Sequence, residues 1–394
     1  MRRIFEGLEQ FIVEVILDQR QDALARGTRF VFYQFSHLYR GVVRLRLWLY
    51  RKRVLKEHPL GALVISVGNL TVGGTGKTPV VEKLARELTA GGRHVAILSR
   101  GYKSKQAPVL RRFAGKHGKN PPRLVTDGTS IFLDSRLAGD EPYMLAKNLR
   151  GVAVLVDRSR VKSGLFALQH LESDTLLLDD GLQHLHLPHR IDIVLIDRNA
   201  PFGNEYMLPR GTLREPPEHL RRASYIILTK CGEQEEVDLK KRLRSLNPVA
   251  PIIEASHRMV ALHGLWSDQV ISVSALQGRR VGALSGIARP ESFEDALREL
   301  GAQVVAIKRF EDHHRYRERD IQNFLNRCLR RGVDMIVTTE KDAVRLPRVE
   351  NEGVEFFYLR MEIEILRGQE AWDELIHRIC QPAPIRAPEV LTAT

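Results

Sequence analysis

Apolar and polar positions follow two rhythms along this chain. From Arg29 to Lys56 the apolar residues recur every three or four positions. At about 100° per residue, Val31, Phe35, Leu38, Val42, Leu45 and Leu49 share one narrow sector, with Arg40, Arg44 and Arg51 opposite. This pattern predicts a basic amphipathic helix. Further on, short runs rich in Val, Ile and Leu predict buried strands at Leu63–Val67, His94–Leu98, Thr175–Leu178 and Asp334–Val337. Between the first two, VVEKLARELTAGG places Val80, Leu84 and Leu88 at helical spacing and stops at Gly91-Gly92. Strand, helix and strand in succession predict a parallel α/β sheet wound by helices. A strand-like segment follows Pro248 and Pro251, near Ala255 to Val273. VGALSGIARPESFEDALREL then starts a fresh strand, loop and helix, and Val354 to Ile365 reads as a return strand. Three regions result: a helical segment over 1–56, a larger α/β domain over 57–254, and a second, smaller α/β domain over 255–394.

Composition narrows the class. A chain of 394 residues with 43% hydrophobic side chains can bury two ordinary cores, which excludes a disordered chain. Sixty-one basic against 48 acidic residues leave a net charge of +13 and point to an anionic partner. Cys231, Cys328 and Cys380 are odd in number and far apart, encode neither a disulfide framework nor a zinc site, and suit a reducing compartment. Met1 to Asp22 carries Glu6, Glu9, Glu14 and Asp18, so no cleavable export signal is expected. The Arg29–Lys56 stretch holds eight Lys or Arg and no acid, yet Arg40, Arg44 and Arg46 interrupt it too often for a membrane span. Its stripe could pack on the protein's own core. The exclusion of every acid favours a lipid interface instead, with arginines near anionic headgroups and Trp48 and Tyr50 at the boundary, since each basic residue there is worth ~1 kcal/mol.

The chemistry is concentrated after the first strand. Gly68-Asn69-Leu70-Thr71-Val72-Gly73-Gly74-Thr75-Gly76-Lys77-Thr78-Pro79 lies between a strand and a helix, the context a phosphate-binding loop requires. Residues Thr71 to Gly76 can turn backbone N–H groups inward around phosphate oxygens. The helix start adds its positive dipole end, Lys77 reaches the outer phosphates, and Thr78 can ligate Mg²⁺. Thr71 stands where the general pattern has glycine. Nucleotide binding and a P-loop fold follow. About 100 residues later, the apolar run Thr175–Leu178 ends in Asp179-Asp180, paired carboxylates suited to a metal. Asp140 and Glu141 precede a helix-like run and, from the residues alone, read as amino-terminal caps. NEYMLPRGTLRE, from Asn204 to Glu215, has loop chemistry, and His313-His314 lie beside acids. Adjacent histidines point different ways on a regular element, which argues against a zinc pair.

In combination these motifs resemble the tetraacyldisaccharide 4′-kinase family, the lipid A 4′-kinases of Gram-negative envelope synthesis. The resemblance runs through VGNLTVGGTGKTP, SRGY (Ser99–Tyr102), GDEP (Gly139–Pro142), DDGLQH (Asp179–His184), LPRGTLRE (Leu208–Glu215), FEDHH (Phe310–His314) and TTEKDAVR (Thr338–Arg345). Thr71 is the residue this family carries at its place. The segment from Lys103 to Leu137 is longer than the family's usual one. The resemblance implies transfer of the ATP γ-phosphoryl group, with Mg²⁺, to the 4′-hydroxyl of tetraacyldisaccharide 1-phosphate. The enzyme would sit peripherally at the cytoplasmic face of the inner membrane, on an anionic surface. No nucleic acid and no stable protein partner is expected.

By resemblance, Asp140 is the acceptor-activating base and His313 its orienting partner, brought together when two α/β/α sandwiches joined by a two-stranded linker close. Lys77 and Thr78 hold phosphate and Mg²⁺, Asp179 and Asp180 contact metal and nucleotide, and Gln183, Glu141, His184 and Glu215 belong to the site. A membrane-associated P-loop switch acting on proteins is the rival reading. Such switches usually carry lysine where Val72 stands, and have no use for GDEP or a distant histidine. A nucleic-acid binder has only the basic pI in its favour.

Overall fold

The computed structural model describes residues 2–101, 121–349 and 353–381. Tyr102 and the first part of the long Lys103–Leu137 segment lie outside them.

Two helices come first, α1 (Arg2–Ile16) and α2 (Ala23–Arg51). Asp22 caps α2, accepting the Ala25 N–H at 2.8 Å. The α/β part then runs β1 (Leu63–Asn69), α3 (Lys77–Ala90), β2 (Val95–Ser99), β3 (Arg123–Thr126), α4 (Ser135–Ala138), α5 (Asp140–Asn148), β4 (Ala153–Val156), α6 (Arg160–His170), β5 (Thr175–Asp179), β6 (Ile191–Asp197), β7 (Tyr225–Thr229) and α7 (Val237–Leu246). It continues through β8 (Ile252–Gly264), β9 (Val270–Ser272), β10 (Arg280–Ser285), α8 (Pro290–Glu299), β11 (Gln303–Arg309), α9 (Glu318–Arg330), β12 (Met335–Thr339), α10 (Glu340–Ala343), β13 (Glu355–Arg367) and α11 (Gln369–Cys380).

One sheet unites the strands, in the order β11-β10-β12-β13-β8-β7-β6-β1-β5-β2-β4-β3, with β9 on β8. Strands β4, β2, β5, β1, β6, β7 and β8 form one parallel block, edged by antiparallel β3; β11, β10, β12 and β13 form another. The long antiparallel pair β8–β13 joins them. Strand β8 pairs with β7 through Ile252–Glu254 and then leaves that block at its carboxyl end; β13 pairs with β12 through Glu355–Leu359 and leaves the other block at its carboxyl end. The carboxyl ends of both blocks therefore face the middle of the ribbon, near Met259 and Met361. Open α/β sheets bind ligands outside those ends, so one crevice serves both blocks.

The parallel strands are buried on both faces, which explains their unbroken apolar runs. Helices α3 and α11 close one face of the first block through Val80, Val81, Leu84, Leu88, Trp372 and Leu375. The second block has its own clusters around Phe324 and Phe357.

Helix α2 docks with a face different from its apolar stripe. Ser36 and Leu47 are buried against the body, and Tyr39 and Val43 pack beside them. Of the expected stripe, Val31, Phe35, Leu38, Val42 and Leu45 remain 48–64% exposed, as does Trp48, whereas Leu49 is half-buried. Two details differ from the sequence expectation. Arg40 turns inward to Glu218 at 2.9 Å, and Tyr50 is half-buried, edge-on to His186. No helix among the described residues is long and apolar enough to cross a membrane.

Candidate active site

The phosphate loop leaves β1 at Asn69 and is held by the segment that ends in TLRE. The Val72 N–H donates to the Thr212 carbonyl at 2.7 Å, and Thr71 bridges Leu213. Thr71 and Thr75 are buried, whereas Val72, Gly73 and Gly74 face solvent. Gly76 takes a left-handed conformation (φ 78°) and starts α3 without a side-chain cap, so the first-turn N–H groups point into the loop with no side-chain acceptor, an anion cradle. Glycine is required earlier too: a Cβ on Gly68 would lie 2.5 Å from Leu182 Cβ, because the strand end and the DDGLQH turn touch there.

Lys77 donates to Asn69 Oδ1 at 3.1 Å and lies 3.6 Å from Asp180. Arg214 grips both Asp180 oxygens at 2.9 and 2.8 Å and also the Asn69 carbonyl at 3.1 Å. Gln183 donates to the same carbonyl and to Glu215, both at 3.1 Å. Glu215, 4% exposed, further pairs with His219 at 2.8 Å and Arg222 at 3.0 Å. The two motifs, bridged by contacts spanning 32 and 34 positions, thus form one hydrogen-bonded unit. Helix α2 buttresses it: Tyr39 Oη donates to the Arg214 carbonyl at 3.2 Å and Arg46 to that of Gln183 at 3.1 Å.

The paired aspartates titrate in opposite directions. Burial pushes Asp179 up to about 7, aided by the charges of Glu141 and Asp180. Asp180 falls to about 2: burial alone would raise it, but the Arg214 hydrogen bonds and the Lys77 ammonium prevail. Ser99 donates to Asp179 Oδ2 at 3.2 Å. Burial and the nearby Arg160 lower His184 to about 4, so it is neutral at physiological pH.

Asp140 is the first residue of α5, and Gly139, with no side chain, is the cap. The capping expectation is therefore incorrect. The Asp140 carboxylate, 7% exposed, instead takes His313 Nδ1 on Oδ2 at 3.0 Å. Arg345 stands 3.6 Å from Oδ2 and Arg315 3.3 Å from Oδ1. Oδ1 itself is buried with no hydrogen-bond partner among the described residues. Burial works to raise the Asp140 pKa, but the His313 hydrogen bond and the two arginines outweigh it and hold the carboxyl below its ordinary value. Of the two histidines, His313 reaches Asp140, while His314 packs between Phe310 and Tyr316. The His313–Asp140 contact, expected only on closure of the lobes, is already made here.

Behind the pair, fully buried Asp342 receives Gly286 N, Thr339 Oγ1, Tyr316 Oη and Arg345 Nη2 at 2.6–2.9 Å. Lys341 Nζ lies 3.4 Å from His313 Nε2 and 3.8 Å from Glu141. A cavity of about 370 Å³ lies between the phosphate loop and the Glu141–Lys341 contact. Gly74, Gly76, Thr78 and Pro79 line one side, Glu141 and Lys341 another, and Met144, Met259, Phe293, Leu359 and Met361 an apolar wall. Arg214, Arg345, Arg315 and Lys341 were not singled out from the sequence, although each sits inside or next to a quoted motif. A bare arginine or lysine has no spacing signature, and only the fold shows which carboxylate it meets.

A P-loop on a parallel sheet, paired acids at the adjoining strand end and a buried Asp–His pair across the same crevice define a nucleotide-dependent phosphotransferase class. The family model described as Tetraacyldisaccharide-1-P 4′-kinase matches residues 28–381, and the chain belongs to that family. Proteins named tetraacyldisaccharide 4′-kinase from Anaeromyxobacter dehalogenans and Pelobacter propionicus are 39% and 38% identical to it, over 84% and 87% of this chain and 85% and 93% of theirs. A crystal structure of LpxK from Aquifex aeolicus in complex with ATP is similar at a TM-score of 0.70 and 30% identity, covering 90% of this chain and 100% of that one.

Proposed function

We infer that this chain transfers the γ-phosphoryl group of ATP to the 4′-hydroxyl of tetraacyldisaccharide 1-phosphate, forming lipid IVA. Family membership supports the reaction. The observation that carries the assignment of roles is the Asp140–His313 pair beside the cavity that the phosphate loop lines. Asp140 Oδ1, buried beside Arg315 and without a hydrogen bond among the described residues, would accept the proton of the acceptor alcohol. His313 holds the carboxylate in position through Oδ2. A carboxylate with a lowered pKa is a weak base for an alcohol, so positioning and charge neutralisation carry most of the acceleration, as a loose phosphoryl-transfer transition state permits. Lys77 and the α3 amino terminus hold the phosphates.

Mg²⁺ is implied by this chemistry, and the donor set fits it: the Thr78 hydroxyl with the Asp179 and Asp180 carboxylates offers hard oxygens, completed by phosphate and water. Asp179 is buried beside the negative charges of Glu141 and Asp180, a crowding that a divalent cation would relieve. A bound Mg²⁺ would neutralise charge developing on the phosphate oxygens.

The exposed stripe of α2 lies in the membrane interface at the cytoplasmic face of the inner membrane. This reading rests on the separation of faces, since the helix packs on the body with one side and offers lipid another. Tyr39 and Arg46 link that helix directly to the Asp180 cluster, which holds the site beside the emerging headgroup. Incubation with γ-labelled ATP and tetraacyldisaccharide 1-phosphate should move the label onto the lipid; label found only in inorganic phosphate, with the lipid unchanged, would refute the kinase reading.

A further inference from the structure

One buried polar cluster lies outside the reacting groups. Arg360, 6% exposed, stands in the middle of β13, where the pairing with β8 shifts register between Arg360 and Met361. Such irregularities re-aim side chains. This one turns a guanidinium toward three helices. Arg360 donates to Glu82, through Nη1 at 3.2 Å and through a closer Nη2 contact, and to Glu340 at 2.5 Å. Asn148 donates to the same two carboxylates, at 3.1 Å to Glu82 and 2.7 Å to Glu340. Glu82 is 4% exposed, and burial together with the Glu82 charge raises the pKa of Glu340.

Two of the three helices carry a reacting group, and the third carries the lysine beside another. Glu82 is four residues beyond Thr78 and shares its helix, α3, with Lys77. Asn148 is the last residue of α5, whose first is Asp140. Glu340 opens α10, and the next residue, Lys341, touches His313. The guanidinium lies where these helices converge.

We propose that Arg360, with Glu82, Glu340 and Asn148, is a positioning hub that sets the phosphate grip, the base and the base's histidine in mutual register, so that its loss impairs transfer rather than ATP binding. The chemistry suits that role better than stabilisation. A buried ion pair adds little net stability compared with an apolar replacement, because desolvation offsets the attraction. Its fork geometry, however, holds its partners in one arrangement. The inference rests on the roles given to Asp140 and His313 above.

Steady-state kinetics and equilibrium ATP binding of Glu340→Gln, Arg360→Lys and Arg360→Met, each alone and combined with His313→Ala, test it. Loss of a charge-assisted contact should lower kcat by about tenfold or more, with ATP affinity within about twofold of the parent. The losses should be non-additive with His313→Ala, Glu340→Gln costing less than about twofold in that background. Should Arg360→Met fail to fold, the isosteric Glu340→Gln carries the test. Equal losses in both backgrounds, or weakened ATP binding at unchanged kcat, would overturn the hub. Inactivity of the parent enzyme itself, or full activity of Asp140→Asn, would instead overturn the reading on which it rests.

Discussion

Single residues set the chemistry through their neighbours' charges. Asp140→Asn should lower kcat by roughly 10²–10⁴ while leaving ATP binding within about threefold; a binding isotherm and a transfer assay on one preparation separate the two. Because His313, Arg345 and Arg315 hold the Asp140 pKa down, its acid limb in the pH–rate profile belongs below the ordinary carboxylate value near ~4. Arg345→Met removes a cation and should move that limb upward. The stability linkage has the same sign: ion pairing of Asp140 stabilises the fold above the unfolded pKa and fades as pH falls through the lower folded one. Asp179 behaves oppositely. With its pKa raised to about 7, its contribution to stability is present below the unfolded value and is lost as pH rises through 7. Asp179→Asn should therefore raise the metal-free melting temperature by several degrees at pH 8 and abolish Mg²⁺-dependent transfer. A calorimetric scan showing no gain would contradict the burial argument.

At the scale of elements, α2 has two separate duties. Its inner face carries Leu47, Tyr39 and Arg46; its outer face carries Leu38 and Val42. An aliphatic side chain withdrawn from water contributes ~1.5–3 kcal/mol, so Leu38→Glu with Val42→Glu should weaken binding to anionic vesicles roughly a hundredfold or more. ATP binding should be untouched, and sedimentation with vesicles measures the first effect. Leu47→Ala, on the buried side, should instead destabilise the fold by ~2–5 kcal/mol. The helix and its apolar stripe were legible in the sequence as a period of 3.6. Which side meets the body was not, because an amphipathic pattern identifies an apolar sector without naming what covers it; the docked face includes Ser36 and Arg40, residues no hydrophobic scale would choose. The same limit applies to α5. A carboxylate at a helix start has a sound local use as a cap, but Gly139 holds the cap position and the Asp140 carboxylate meets His313, 173 positions away.

For the whole molecule, two parallel blocks point their carboxyl ends at each other across β8 and β13, and this doubles the set of loops that reach one crevice. Ligand binding should register globally: at a hundredfold excess over Kd, ATP with Mg²⁺ should stabilise the protein by ~2.7 kcal/mol, visible as a higher melting temperature that Lys77→Ala removes. The linear chain by itself determined the P-loop between β1 and α3, the acidic strand end, the amphipathic segment and the α/β class, since each depends on contacts within a few residues or on a repeating period. Only the tertiary structure decided that Arg214 answers Asp180, that His313 rather than His314 meets Asp140, and that Arg360 gathers Glu82, Glu340 and Asn148. Those partners are brought together by sheet order and strand register, and the pairing of distant charges in a low-dielectric crevice leaves no periodic trace in the sequence.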